Sequence, residues 1–224
     1  MTASPYPQLR AAMNGISGIL VTPFDAQDQL APRNLAPIIG RAVDAGVHCL
    51  VVNGNTSEFY GLTPEEAVTM AHAATEQVGG RVPVLAGIKW ASPTPLVMAE
   101  AMRRTADLDL AWVCGLAEIW APPLYAMGAR GFTSGLINVR PAHSVAIHQA
   151  LEAGDYPRAR LLIGQMRDFE SLRAEEQNGC NVSVVKAALR LMGQDCGAPR
   201  PPAAWPLTDA AMQTLKALLR SWHG

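Results

Sequence analysis

Among the side chains able to act as nucleophile or base, one lysine stands out by its place. The chain holds 18 basic residues, and only Lys89, Lys186 and Lys216 are lysines. Lys186 and Lys216 fall on helical patterns, where an exposed, salt-bridging role is expected. Lys89 ends the apolar run Val84-Leu85-Ala86-Gly87-Ile88 and so stands at the C-terminal end of a predicted strand. In α/β barrels that end is the face that carries chemistry. An amine held in an apolar barrel mouth is desolvated, which favours its neutral, nucleophilic form. It can attack a ketone and form an imine. A strand-end lysine is also a common surface residue, and the run alone leaves both readings open.

A second candidate is the loop Asn53-Gly54-Asn55-Thr56-Ser57-Glu58, which follows another apolar run. Its small residues leave backbone N–H groups and hydroxyls free to receive an oxyanion such as a carboxylate. A plain strand-to-helix turn would have the same composition. Glu58 reads as an anchor for the loop rather than as a working acid.

The elements that must position these groups alternate between short apolar runs and helical patterns, the mark of a parallel α/β arrangement. Gly18–Val21, Val47–Val52, Val82–Ile88, Leu110–Cys114 and Gly131–Thr133 are predicted strands. Leu35–Ala45, Pro95–Thr105 and Glu118–Met127 are predicted helices. Thr63-Pro64-Glu65-Glu66 spells a helix start, with Thr63 as N-cap, Pro64 in the first turn and Glu66 closing a capping box. From Pro141 onward the pattern is helical throughout: Ala142–Leu151, Tyr156–Arg173, Val182–Met192 and Asp209–Trp222. The fold class expected is α/β of the TIM (β/α)8-barrel type, incomplete at about five strands. A barrel of eight strands typically takes about 250 residues, and only the first 140 of this chain's 224 carry strands. Residues 1–140 are read as the partial barrel and 141–224 as a barrel helix with a helical extension, forming one unit.

Composition narrows the function classes. A formal net charge of -1 gives no electrostatic reason for a nucleic-acid or acidic-membrane partner. No apolar run reaches the ~18 residues a bilayer span needs, and Met1–Asn14 does not read as a secretory leader. Cys49, Cys114, Cys180 and Cys196 lack C-x-x-C spacing, which argues against a zinc site or a disulfide framework. His143 and His148, five residues apart, do not share a helix face, and no metal or other cofactor is expected. The five tryptophans, Trp90, Trp112, Trp120, Trp205 and Trp222, are expected to pack. Asn181-Val182-Ser183 matches a glycosylation sequon and is discounted. A cytoplasmic location is expected.

Four segments together resemble the dihydrodipicolinate synthase / N-acetylneuraminate lyase superfamily of barrel lyases. Gly18-Ile-Leu-Val-Thr-Pro-Phe-Asp25 resembles its first strand. Gly54-Asn-Thr-Ser-Glu58 with Leu62-Thr-Pro-Glu-Glu66 resembles its "GTTGE … L … E" loop and helix. Gly87-Ile-Lys89 resembles the "GiK" strand of the Schiff-base lysine. Gly128-Ala-Arg-Gly-Phe-Thr-Ser-Gly-Leu-Ile-Asn138 resembles the last strand, and Asn181-Val-Ser-Val-Val-Lys186 with Arg200-Pro-Pro202 looks like the terminal helices.

The resemblance implies that Lys89 forms an imine with pyruvate or another 2-keto acid. It implies that Thr56, with the backbone of Ser57, holds the substrate carboxylate, and that Gly115 and the backbone near Thr133 line the pocket. Asn55 stands where the family often has a threonine that relays protons, which an amide cannot do in the same way. A homo-oligomer, dimer or tetramer, is expected. One departure is large: in the family about 75 residues, at roughly 30 per unit, separate the third strand from the lysine strand. Here the two run together at Ile88-Lys89. The Y-x-x-P tyrosine that serves the family as general acid/base is lost with the gap, so a catalytically silent homologue that binds small molecules or partners is the competing reading.

Overall fold

In the computed structural model, the residues described are 7–86, 96, 99–100, 103, 112–201 and 205–223. Among them, short apolar runs form five parallel strands: β1 (Ile16–Ile19), β2 (Cys49–Val52), β3 (Val84–Ala86), β4 (Val113–Cys114) and β5 (Gly131–Ser134). They make one sheet in the order β3-β2-β1-β5-β4. All four residues of β1 and of β5 are buried, as expected of parallel strands covered on both faces. Among the described residues β3 and β4 are the outer strands, and the sheet is an incomplete barrel.

The register sets up the site. Gly18 pairs with Leu50 on one side and Ser134 on the other, while Val52 pairs with Ala86. The first strand lies two residues earlier than the hydrophobic pattern predicts. The N–H of Leu20 still bonds the Val51 carbonyl, but that of Val21 is taken by the Asn138 side chain, which ends the ladder. The predicted strand end at Gly87-Ile88, Lys89 itself and most of the predicted helix 95–105 lie outside the described residues.

Helices cover the sheet: α1 (Pro7–Met13), α2 (Ala36–Asp44), α3 (Pro64–Val78), α4 (Ala117–Ala126), α5 (Pro141–Glu152), α6 (Tyr156–Asn178), α7 (Asn181–Leu191) and α8 (Asp209–His223). The capping box starting α3 is formed in full, Thr63 accepting from the Glu66 N–H and Glu66 from the Thr63 N–H. Helical geometry in α6 breaks at Glu175, Glu176 and Gln177, the last two with positive φ, so the chain turns before α7. Phe24, Phe132, Phe169, Leu50 and Ile137 are among the largest fully buried side chains of the core. The expectation that the tryptophans pack holds for Trp222, 5.7 Å from Phe169 between ring centres. It fails for Trp120 and Trp205, which are exposed; Trp120 borders a cavity instead. Among the described residues no helix is long and apolar enough to cross a membrane.

Candidate active site

A cavity of about 570 Å3 opens at the C-terminal ends of the strands. Ile19 at the end of β1, the Asn53–Thr56 turn after β2, Gly115 after β4, and Thr133 and Gly135 at the end of β5 all border it. Parallel strands all end on the same side, so residues far apart in sequence converge there.

The turn after β2 is held in an unusual shape. Asn53 and Glu58 at its two ends are both left-handed, at φ 57° and 59°. For Glu58 such a backbone costs about 1–3 kcal/mol. Its carboxylate offsets this: it lies 2.5 Å from Lys186 Nζ and accepts the Arg200 N–H at 2.6 Å. Burial pushes the Glu58 carboxyl up and the Lys186 ammonium down, each opposed by the other's charge. Lys186 is therefore buried and paired, not exposed as its helical spacing suggests, because α7 lays its inner face against this turn. Glu58 is the anchor that the sequence indicates.

The predicted site residues separate. Asn55, Thr56, Gly115 and Thr133 border the one cavity. Ser57 does not: it is buried, its Oγ donating to the Leu20 carbonyl at 2.6 Å and its N–H to the Gly54 carbonyl at 3.1 Å. Its backbone donor is thus already used. Lys89 lies outside the described residues. The Thr133 hydroxyl is buried with no partner among the described residues.

Three cavity residues carry no signal in the sequence strong enough to single them out. Arg173 and Glu170 on α6 form an ion pair. The guanidinium also donates through Nε and Nη2 to Asn181 Oδ1, at 2.9 and 2.6 Å. Asn181 Nδ2 in turn donates to Asn55 Oδ1 at 2.9 Å. Arg173 packs on Gly135 so closely that a Cβ there would lie 2.5 Å from Nη2. Behind the wall sits Glu118, fully buried, whose Oε1 accepts from Ser134 and Ser144 at 2.5 and 2.6 Å. Its Oε2 has no partner among the described residues. Burial, and then the charge of Glu170, push the Glu118 carboxyl up to about 7 against the pull of the two hydroxyls. Ala117, directly before it, is left-handed at φ 62°, a strain typical of functional sites.

No tyrosine among the described residues borders the cavity. Tyr125 is buried, its hydroxyl 2.8 Å from His148 Nδ1, and Tyr60 is tucked against the Glu58 turn, whose charge adds to burial in raising its hydroxyl to about 12. His48 Nδ1 accepts the Ile16 N–H and His143 Nε2 meets the Leu162 carbonyl at 2.8 Å. These histidines serve the frame.

A parallel α/β sheet with a cavity at the C-terminal ends of its strands is the arrangement of barrel-type enzymes. The chain belongs to the dihydrodipicolinate synthetase family, whose sequence model matches residues 12–102 and 86–222. The two matches overlap at 86–102, a stretch that holds Gly87-Ile88-Lys89. The chain resembles a probable 5-dehydro-4-deoxyglucarate dehydratase of Streptomyces avermitilis, 26% identical with 99% of this chain and 98% of that one covered. That alignment runs over 310 positions against 224 residues here, so at least 86 positions face a gap in this chain. A 4-hydroxy-tetrahydrodipicolinate synthase of Corynebacterium jeikeium is 36% identical over 118 residues, 53% of this chain and 38% of that one. The crystal structure of dihydrodipicolinate synthase from Oceanobacillus iheyensis superposes with a TM-score of 0.90 at 28% identity, covering 97% of this chain and 99% of that one. By family the chain is a lyase.

Proposed function

We propose that the chain forms a Schiff base between Lys89 and pyruvate or another 2-keto acid, and that the cavity at the strand ends receives the carboxylate end of that substrate. The observation that carries this reading is the cavity wall itself. Thr56 and Thr133 both border it, and the Thr133 hydroxyl is buried without a protein partner among the described residues. Buried polar groups are almost always satisfied, and an unmet one on a residue that borders the cavity favours a ligand there. Lys89 follows three residues after Ala86, which pairs with Val52 at the entry to the Asn53–Glu58 turn.

In the step proposed, the neutral Lys89 amine adds to the ketone carbon, the resulting carbinolamine loses water, and a C=N bond replaces C=O. The protonated imine then acts as the electron sink for bond making or breaking at the neighbouring carbon. Borohydride reduction in saturating pyruvate tests this. The expected result is a stable mass adduct on the peptide containing Lys89, absent in Lys89→Ala. No adduct on wild type would remove Lys89 from its central role.

One observation favours a second reading, a homologue that binds a keto acid without turning it over. No tyrosine borders the cavity among the described residues, and no Y-x-x-P motif occurs in the chain. Turnover of a 2-keto acid with an aldehyde acceptor would exclude it.

A further inference from the structure

We propose that Arg173 is a positioning residue that fixes the amide orientation of Asn181 and, through it, of Asn55, so that the Asn55 Nδ2 group meets the ligand as a hydrogen-bond donor to an anionic oxygen. The inference rests on the reading that the cavity accepts a 2-keto acid, and it assigns recognition of the carboxylate to a side-chain relay that reaches the cavity from α6 and α7.

Donors and acceptors fix the direction of the relay. A guanidinium has donors only. Two of its nitrogens meet the Asn181 side chain, so the carbonyl oxygen of that amide must face Arg173. The Asn181 amide nitrogen is thereby turned to Asn55, which must answer with its own carbonyl oxygen. What remains of Asn55 is the Nδ2 group, with no partner among the described residues, on a side chain that borders the cavity and is exposed to it. The relay cannot swing at its origin. Arg173 is tied to Glu170 by its third nitrogen and packs on Gly135, where even a methyl group would collide with Nη2.

The relay answers a difficulty that the residue at position 55 creates. A hydroxyl rotates to donate or accept as its neighbour requires, whereas an amide presents a donor on one side and an acceptor on the other. Turned the wrong way, Asn55 would point its oxygen at the carboxylate and repel it. An asparagine here needs an orienting partner, and a donor-only side chain two links away supplies one.

Pyruvate titrated calorimetrically into wild type, Arg173→Gln, Asn55→Thr and the double variant forms the test, with thermal melting as the control for folding. Glutamine can offer either end of its amide and so no longer dictates the relay. The expected result is a loss of about tenfold in pyruvate affinity for R173Q, shrinking to about twofold or less when combined with Asn55→Thr, since a hydroxyl needs no orienting. Asn181→Asp is the second variant: with no donor left at 181, the Asn55 amide flips, and pyruvate binding falls at least tenfold, recovering in the background of Asn55→Thr. Equal losses from R173Q with and without the Asn55→Thr change would overturn the relay and reduce Arg173 to a source of charge. A folded wild type that does not bind pyruvate would instead overturn the 2-keto acid reading, and the ligand named here with it.

Discussion

Lys186 Nζ and Glu58 Oε1 lie 2.5 Å apart with both side chains at 2% exposure or less. One comes from a C-terminal helix and the other from the turn that borders the cavity, so the pair ties the shape of the site to the end of the chain. Removing one partner of a buried ion pair strands the other's charge, at a cost of about 3–5 kcal/mol. Lys186→Met is therefore expected to lower unfolding free energy in urea by about that amount, and Glu58→Gln/Lys186→Met together by clearly less than the sum of the two single changes. Additive losses would mean that the two side chains do not interact.

Glu118 gives the fold a pH dependence with a definite sign. Its folded-state pKa of about 7 lies above the ordinary 4.5, so between those values the folded chain holds more protons than the unfolded one. Stability is then full on the acid side and is lost as pH rises through the window, by at most about 3 kcal/mol at 1.36 kcal/mol per pH unit. Glu118→Gln cannot ionise and is expected to flatten the decline between pH 5 and 8. Parallel stability curves for the two proteins, measured by chemical denaturation, would contradict this.

Gly135→Ala is expected to act through Arg173. The added methyl would sit 2.5 Å from Nη2, and moving the guanidinium loosens its hold on Asn181. Overpacking of this kind costs about 1–3 kcal/mol. The expected signature is a modest loss of melting temperature with a larger loss of pyruvate affinity, whereas an effect on stability alone would show that the glycine serves packing only.

Much of the frame is legible in the residues themselves. The capping box at Thr63–Glu66 and the helix Ala117–Ala126 fall where local signals put them, and Asn55, Thr56, Gly115 and Thr133 meet at one cavity because each follows or ends a parallel strand. What local pattern cannot reveal is pairing across the chain. Lys186 looks like an exposed helical lysine until α7 is laid against a turn 128 residues earlier, where Glu58 waits. The sequence separates the helices at Arg173 and Val182, but no local signal says that the turn at Glu175–Gln177 brings Arg173 and Asn181 together. Asn181 shows a sequon and opens a segment that resembles the family's terminal helices, and neither points to its contacts with Arg173 and Asn55. Ser57, expected beside Thr56 in the site, turns inward, where its hydroxyl donates to the Leu20 carbonyl.

Thr133→Val separates a binding group from a structural one. The Thr133 hydroxyl is buried on β5 at the cavity with no partner among the described residues, and an unmet hydroxyl of this kind costs about 1–3 kcal/mol in the empty protein. Valine keeps the β-branched shape that suits a strand and removes the unmet group, so the ligand-free variant is expected to be as stable as wild type or more stable by about 1 kcal/mol. If the hydroxyl bonds the substrate, the same change weakens pyruvate binding, by about tenfold for one lost hydrogen bond. Opposite signs on the two measurements are what a ligand-directed hydroxyl produces, because the group is a liability until the ligand arrives. A variant that loses stability while keeping pyruvate affinity would show that Thr133 belongs to the core and not to the site.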